Sequence, residues 1–298
     1  MSGASHTARE PAQTGQKARR QFLGFDVTLD WLLRPLFGIG LASMAVAATY
    51  FGGYYFAAFI ATGCIAAVRE WHRMFAGEKY GRLFIVSAIC VALAVMAEVA
   101  FAHSAKLTGI PWLILTFGAL VNSVLASTRR VEALWHAGAL LYIGVPALSL
   151  VAIRVVPANG LWLILSIFAA VWATDTGALF TGNLLKGPKL WPALSPNKTW
   201  AGFLGGIVFG ALGAMIVFWF VHVNLLYGAV LGGCAALVGH AGDLFESWMK
   251  RRVGRKNSGN LIPGHGGVLD RIDSILFVGP VAAFVLLVLN VNPLMGAR

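Results

Sequence analysis

From residue 35 onward the chain alternates long apolar runs with short polar breaks, and the runs are long enough to set the fold class. An α-helix needs about 20 mainly apolar residues to cross the hydrocarbon of a bilayer. Nine runs meet or approach that length, near residues 35–50, 53–68, 83–102, 108–127, 134–152, 160–180, 201–221, 226–243 and 274–291. The pattern predicts an all-α, polytopic integral membrane helical bundle of about nine transmembrane helices. The first two runs are short and suit tilted helices or a hairpin. Residues 1–34 lack apolar periodicity and read as a polar, disordered tail. The end of that tail, from Phe22 to Arg34, mixes aromatic, aliphatic and charged side chains as an interfacial segment does. The first apolar run starts too late for a cleavable signal peptide. The chain thus divides into a tail (1–34), an N-terminal group of spans (35–159) and a C-terminal group (160–298).

Composition agrees: 58% of residues are hydrophobic, 12% are charged and the mean hydropathy is +0.75, which no single soluble core accommodates. Basic residues then fix an orientation. With a cytoplasmic N-terminus and nine spans, 20 of the 23 Lys and Arg fall on the cytoplasmic side, leaving only Lys106, Arg154 and Arg298 opposite. The net charge of +11 is spread over short loops with no nucleic-acid module, so anionic membrane lipids, not nucleic acid, are the expected partners. Cys64, Cys90 and Cys234 lie in apolar runs without zinc-site or disulfide spacing and read as core thiols.

Three polar stretches carry candidate chemistry. Asp175-Thr176-Gly177 places a carboxylate inside an apolar run, where an ionisable group is costly and so suggests function. The segment Ser195-Pro196-Asn197-Lys198-Thr199-Trp200 leads into the next span. Ser195 or Thr199 can cap that helix, and its free N–H groups with Lys198 suit a phosphate. The third stretch is the most polar. If the eighth run continues as a helix, His240, Asp243, Ser247 and Lys250 share one face. A loop with Arg251, Arg252, Arg255 and Lys256 follows, then the turn Pro263-Gly264-His265-Gly266-Gly267, and then Asp270, Arg271 and Asp273. Carboxylates near two helix ends suit magnesium, which keeps several waters and bridges to phosphate oxygens. An ion-pair network, in which Asp270 and Asp273 neutralise Arg271 and Lys250, is the plainer alternative.

Other signals lead nowhere. Gly182 to Gly187 lacks the Gly-Lys-Ser/Thr ending of a phosphate-binding loop, and Gly38-Ile39-Gly40 has no preceding strand. Glu98 reads as a hydrogen-bonded or snorkelling carboxylate, and His6, His72, His103, His136 and His222 lack ligand spacing. The pairs Gly52-Gly53, Gly205-Gly206 and Gly232-Gly233 are assigned to helix packing.

The motifs together resemble the phosphatidate cytidylyltransferases, also called CDP-diacylglycerol synthases. That family's signature, Ser-x-x-Lys-Arg-x4-Lys-Asp followed by Pro-Gly-His-Gly-Gly-x-x-Asp-Arg-x-Asp, is matched by Ser247, Lys250, Arg251, Lys256, Pro263 to Gly267, Asp270, Arg271 and Asp273. The Asp175 and Ser195–Gly202 motifs match as well, so the likeness is firm over residues 160–291. One position departs: Asn257 stands where the family has Asp, which keeps an acceptor and loses the charge.

The resemblance implies cytidylyl transfer from CTP to phosphatidate, giving CDP-diacylglycerol and pyrophosphate with Mg2+ and room for a second cation. It implies a metal set of Asp243, Asp270, Asp273 and Asp175. The catalytic group would add Lys250, His265 and Arg271, and substrate would meet Ser195, Lys198, Thr199, Ser247, Arg251, Lys256, Gly264, Gly266 and Gly267. The expected setting is the bacterial inner membrane with the site facing the cytoplasm, and a homodimer is the expected assembly. Two alternatives stay open: a CTP-dependent lipid or polyprenol kinase, and a catalytically degenerate paralogue that binds or transports anionic lipids. The Asp-x-x-Asp-Gly-x-x-Ala-Arg pattern of CDP-alcohol phosphotransferases is absent.

Overall fold

The computed structural model describes residues 27–77, 81–128, 132–262 and 266–294. The sequence readings for the tail as far as Asp26, and for Pro263, Gly264 and His265, lie outside these residues.

The described residues form α1 (Val27–Phe51), α2 (Gly53–Ala76), α3 (Gly81–Phe101), α4 (Ile110–Thr128), α5 (Ala133–Ala139), α6 (Val145–Val155), α7 (Gly160–Leu185), α8 (Trp200–Phe220), α9 (Leu225–Arg252) and α10 (Leu269–Ala283). A π-turn over Leu140–Gly144 joins α5 and α6 into one long rod. Pro146 is the second residue after that turn; it cannot donate a hydrogen bond and its ring crowds the carbonyl four residues earlier, which favours a widened turn there.

Seven helices among the described residues are long and apolar enough to cross a membrane, so the chain has an all-α, polytopic membrane architecture. The runs expected at 35–50 and 53–68 are also helical. Leu36–Phe51 is a shorter apolar helix, and α2 ends in the polar sequence Arg69-Glu70-Trp71-His72-Arg73. One element is an addition to the all-α expectation: Lys189–Trp191 (β1) and Ser195–Thr199 (β2) pair antiparallel, with Lys189 opposite Thr199, Trp191 opposite Ser195 and a bulge between. Pro188, Pro192 and Pro196 bound and punctuate this hairpin, where further helix would lose hydrogen bonds.

Within the body formed by residues 42–298, helices α7, α8 and α9 pack closely, and α10 lies against both α9 and α6. Helix α6 is central: Ala147, Leu148, Leu150, Val151 and Ile153 are all buried, and it also meets α2, α3 and α7. Small residues set the spacing of the α7–α8–α9 group, because a Cβ at Gly177 would strike Phe209, one at Gly206 would strike His240, and one at Gly232 would strike the backbone carbonyl of Gly210.

Two sequence readings need correction. Gly52-Gly53 does not serve helix packing; Gly52 takes φ +64° at the break between α1 and α2, against the Arg154 guanidinium, which donates from Nε to the Thr49 carbonyl at 2.7 Å. Cys64 is a buried thiol, but Cys234 is exposed on α9, so it is no core residue.

Candidate active site

Helix α9 runs unbroken from Leu225 to Arg252, so His240, Asp243, Ser247 and Lys250 do share a face, and Glu246 joins them one turn before Lys250. The C-terminal end of α9, the start of α10, the β1–β2 hairpin and the end of α2 meet at one end of the bundle. Two charged groupings form there.

The first is centred on Lys250. Its ammonium donates to Glu246 Oε2 at 2.6 Å and to Asp270 Oδ1 at 2.7 Å. Asp270, in the first turn of α10, also accepts from the Ser258 N–H, at 3.0 Å to Oδ2, and from the Gly267 N–H at 3.1 Å. Gly266 stands at φ +87° and exchanges backbone hydrogen bonds with Ile262 at 2.9 and 3.2 Å. A left-handed residue at that position explains glycine there. Glu246 is fully buried, and its Oε1 has no hydrogen-bond partner among the described residues.

The second grouping bridges the hairpin and α9. Lys198 on β2 forms an ion pair with Asp243. Asp175 on α7 lies within electrostatic range of Asp243, Lys198 and Arg271, and Asp273 within range of Asp243, Glu246 and Asp175. Asp273 therefore links the two groupings, while its Oδ1 accepts from the Ser274 N–H at 2.7 Å. Thr199 is the N-cap of α8, accepting from the Gly202 N–H at 3.1 Å, as one of the two sequence candidates for that cap. Ser195 instead starts β2, opposite Trp191.

Several expected residues stay at the rim. Lys256 and Asn257 are exposed on the loop after α9. Arg251 donates to the Arg255 carbonyl at 3.2 Å, and Arg252 stacks over Trp135 and Trp248, 5.4 and 5.7 Å from the ring centroids. Beside these arginines an apolar cleft of about 630 Å³ opens between the hairpin and α9, lined by Trp191, Leu194, Leu244, Phe245 and Trp248.

Sequence reasoning missed two carboxylates. Glu246 was legible as the residue four before Lys250. Glu70 on α2 accepts from Ser258 Oγ at 3.1 Å, from the Val268 N–H at 3.1 Å and from the Leu269 N–H at 2.9 Å. Its signal was an acid inside the buried stripe of α2, between Ala67 and Met74.

The carboxyl groups Asp175, Asp243, Glu246, Asp270 and Asp273 thus face the cations Lys198, Lys250 and Arg271. Carboxyl groups in such excess, with Glu246 fully buried among them, must be balanced by protons or by a bound cation. Among the described residues no three His, Cys, Asp or Glu side chains converge into a ready metal cage. Magnesium does not require one, because it is commonly held by one or two carboxylates, with water and substrate phosphates completing its shell. The acidic excess and the unpartnered Glu246 oxygen fit an ion of that kind.

A model of the cytidylyltransferase family matches residues 32–289. The chain belongs to the cytidylyltransferase family. It is 37% identical over 251 residues to the phosphatidate cytidylyltransferase of Brucella suis biovar 1, covering 82% of this chain and 88% of that protein. Phosphatidate cytidylyltransferases of Staphylococcus haemolyticus and Staphylococcus aureus match over 148 and 131 residues at 42% and 44% identity, covering 49% and 43% of this chain and 56% and 50% of theirs. The B. suis match takes in both halves of the membrane region, beyond the motif-bearing segment.

Proposed function

We propose that this family member transfers the cytidylyl group of CTP to phosphatidate, forming CDP-diacylglycerol and releasing pyrophosphate. The observation that carries the reading is the meeting of the Lys198–Asp243 and Lys250–Asp270 ion pairs at one end of a membrane bundle. A lipid phosphate and a nucleotide triphosphate can meet there without either crossing the bilayer.

A phosphate oxygen of phosphatidate attacks the α-phosphorus of CTP and the bond to the β-phosphate oxygen breaks. Charge gathers on the equatorial oxygens and on the departing pyrophosphate, so positioning and neutralisation dominate catalysis. Lys198 and Arg271 neutralise phosphate oxygens on one side of the site and Lys250 does so on the other. Arg251 and Lys256 approach from the rim, and Ser247 lies on the shared face of α9. Gly266 and Gly267 keep the turn narrow, and Gly264 and His265 are proposed to bind substrate. No general base is needed, because a phosphomonoester with a second pKa of about 6 is largely ionised near neutral pH.

Magnesium bound by Asp243 and Asp270, with Asp273 and Asp175 completing or orienting its shell, would supply Lewis-acid neutralisation of the phosphates. Asp270 also holds Lys250 and the Ser258 and Gly267 amides, which keeps the ammonium directed at the site. The apolar cleft with Arg251 and Arg252 at its rim is the proposed seat of the lipid, its acyl chains on the tryptophans and its phosphate toward the arginines. The proposed topology has nine spans and a cytoplasmic N-terminus, with the site on the cytoplasmic face of the bacterial inner membrane.

The test is purified protein given phosphatidate, magnesium and CTP labelled at the α-phosphate. Label in the lipid together with released pyrophosphate is expected, and both must vanish with a chelator. CDP with unlabelled lipid would instead make the protein a kinase, and no turnover would make it a binding paralogue.

A further inference from the structure

Glu70 belongs to none of the motifs, yet it grips the loop that carries them. It lies on α2, 188 residues before Ser258, and is buried. Its three donors are the Ser258 hydroxyl and the N–H groups of Val268 and Leu269, at the start of α10. Those amides have no partner within their own helix, and a carboxylate there also complements the helix dipole.

Asp270 grips the same loop from the other side. Ser258 stands between the two carboxylates, its Oγ bonded to Glu70 and its N–H to Asp270. The glycines of the loop report how close this grip is. A Cβ at Gly259 would overlap the Glu70 carboxylate, and one at Gly267 would overlap Ser258 Oγ and lie 2.6 Å from Glu70 Oε2. Gly267 also gives its N–H to Asp270. The need for glycine at 259 and 267 therefore comes from the approach of Glu70 and Ser258, whatever the substrate.

We propose that Glu70 is a positioning residue of the cytidylyl-transfer site: through Ser258 and the first amides of α10 it fixes where Asp270 stands, and through Asp270 where the Lys250 ammonium points. The N-terminal half of the chain thereby contributes to a site whose motifs all lie in the C-terminal half. Glu70 itself touches no reacting atom. The activity arm of the test rests on the function proposed above, and a second arm does not.

The experiment compares full-length wild type, Glu70→Gln, Ser258→Ala and the double variant, purified in detergent. Label transfer from CTP to lipid is measured alongside hydrogen exchange of the amides in 256–269. Displacing a catalytic group by about an ångström costs on the order of 100-fold. Glu70→Gln should therefore lower kcat by roughly 10- to 100-fold with KM for CTP within about threefold. Loop exchange should rise while exchange in α3 and α4 stays unchanged. Ser258→Ala should cost less, and the double variant should be no worse than Glu70→Gln alone, because both act through one contact. An unchanged kcat, unchanged loop exchange, or losses that multiply in the double variant would each overturn the proposal. If Glu70→Gln fails to fold, Ser258→Ala decides by its own exchange and kcat. A wild type that transfers no label strikes the functional reading, and the exchange arm still decides the role of Glu70.

Discussion

Lys250 Nζ lies 2.7 Å from Asp270 Oδ1 and 2.6 Å from Glu246 Oε2, so one ammonium ties the end of α9 to the start of α10. Truncating it leaves the fully buried Glu246 without a counter-charge, which typically costs about 3–5 kcal/mol. Lys250→Ala should lower both the thermal midpoint and turnover. Adding Glu246→Gln removes the more deeply buried of the two carboxylates left without the ammonium, the other being Asp270, and should restore most of the midpoint but not turnover. Thermal unfolding in detergent and label transfer separate the two roles, and a double variant with restored turnover would show that Lys250 acts only on stability.

Lys198 and Asp243 come from the hairpin and from α9, and their ion pair joins the two elements at the second charged grouping. Asp243→Asn preserves shape and removes one charge of the proposed magnesium shell. Its turnover should fall by roughly 1,000-fold or more, the scale of losing a principal electrostatic element. Lys198→Ala should chiefly raise KM for CTP. Steady-state kinetics at saturating magnesium test both; Asp243→Asn turning over within tenfold of wild type would remove Asp243 from the metal set.

Much of this arrangement is written in short-range pattern. The continuity of α9 past Asp243, the shared face of His240, Asp243 and Lys250, and the cap at Thr199 follow from helical period and local capping chemistry. What sequence spacing leaves out is pairing at a distance. Nothing local joins Lys198 to Asp243, or Glu70 to Leu269 across 199 residues. The β1–β2 hairpin was hidden for another reason: its strands are short, β2 carries Pro196 and their pairing is interrupted by a bulge, so no alternation of polar and apolar residues marks them. Asp175, read as a carboxylate within an apolar run, lies on the uncovered face of α7, toward Lys198 and Arg271.

Gly232 and Gly233 are adjacent in sequence and opposite in consequence. A Cβ at Gly232 would overlap the Gly210 carbonyl, whereas at Gly233 the nearest atom is a methyl of Ile207 at 4.0 Å. A backbone carbonyl cannot swing aside as a side chain can, so Gly232→Ala must push α8 and α9 apart. Overpacking of that kind costs typically about 1–3 kcal/mol. Gly232→Ala should lower the thermal midpoint and Gly233→Ala should leave it unchanged or raise it, alanine being the better helix former. Equal midpoints for the two variants would contradict the close α8–α9 packing.

The four-residue network of His72, His136, Ser87 and Asn122 gives the last expectation. His72 reaches His136 through its Nδ1 at 2.8 Å and Ser87 Oγ through its Nε2 at 2.8 Å, and Asn122 Nδ2 donates to the same hydroxyl. All four side chains are buried, joining α2, α3, α4 and α5. Glu70 and His72 are two residues apart on α2 and so point to different faces, the first to the α10 loop and the second to this network. The network should therefore hold the N-terminal helices together without taking part in transfer. Ser87→Ala leaves His72 Nε2 without its partner and Asn122 with only a 3.4 Å bond to the Leu83 carbonyl, at a cost of about 1–3 kcal/mol. The thermal midpoint should fall while kcat and KM for CTP, measured well below it, stay within about twofold of wild type. A variant with a normal midpoint and depressed kcat would place the network in the catalytic machinery and remove the distinction between the two faces of α2.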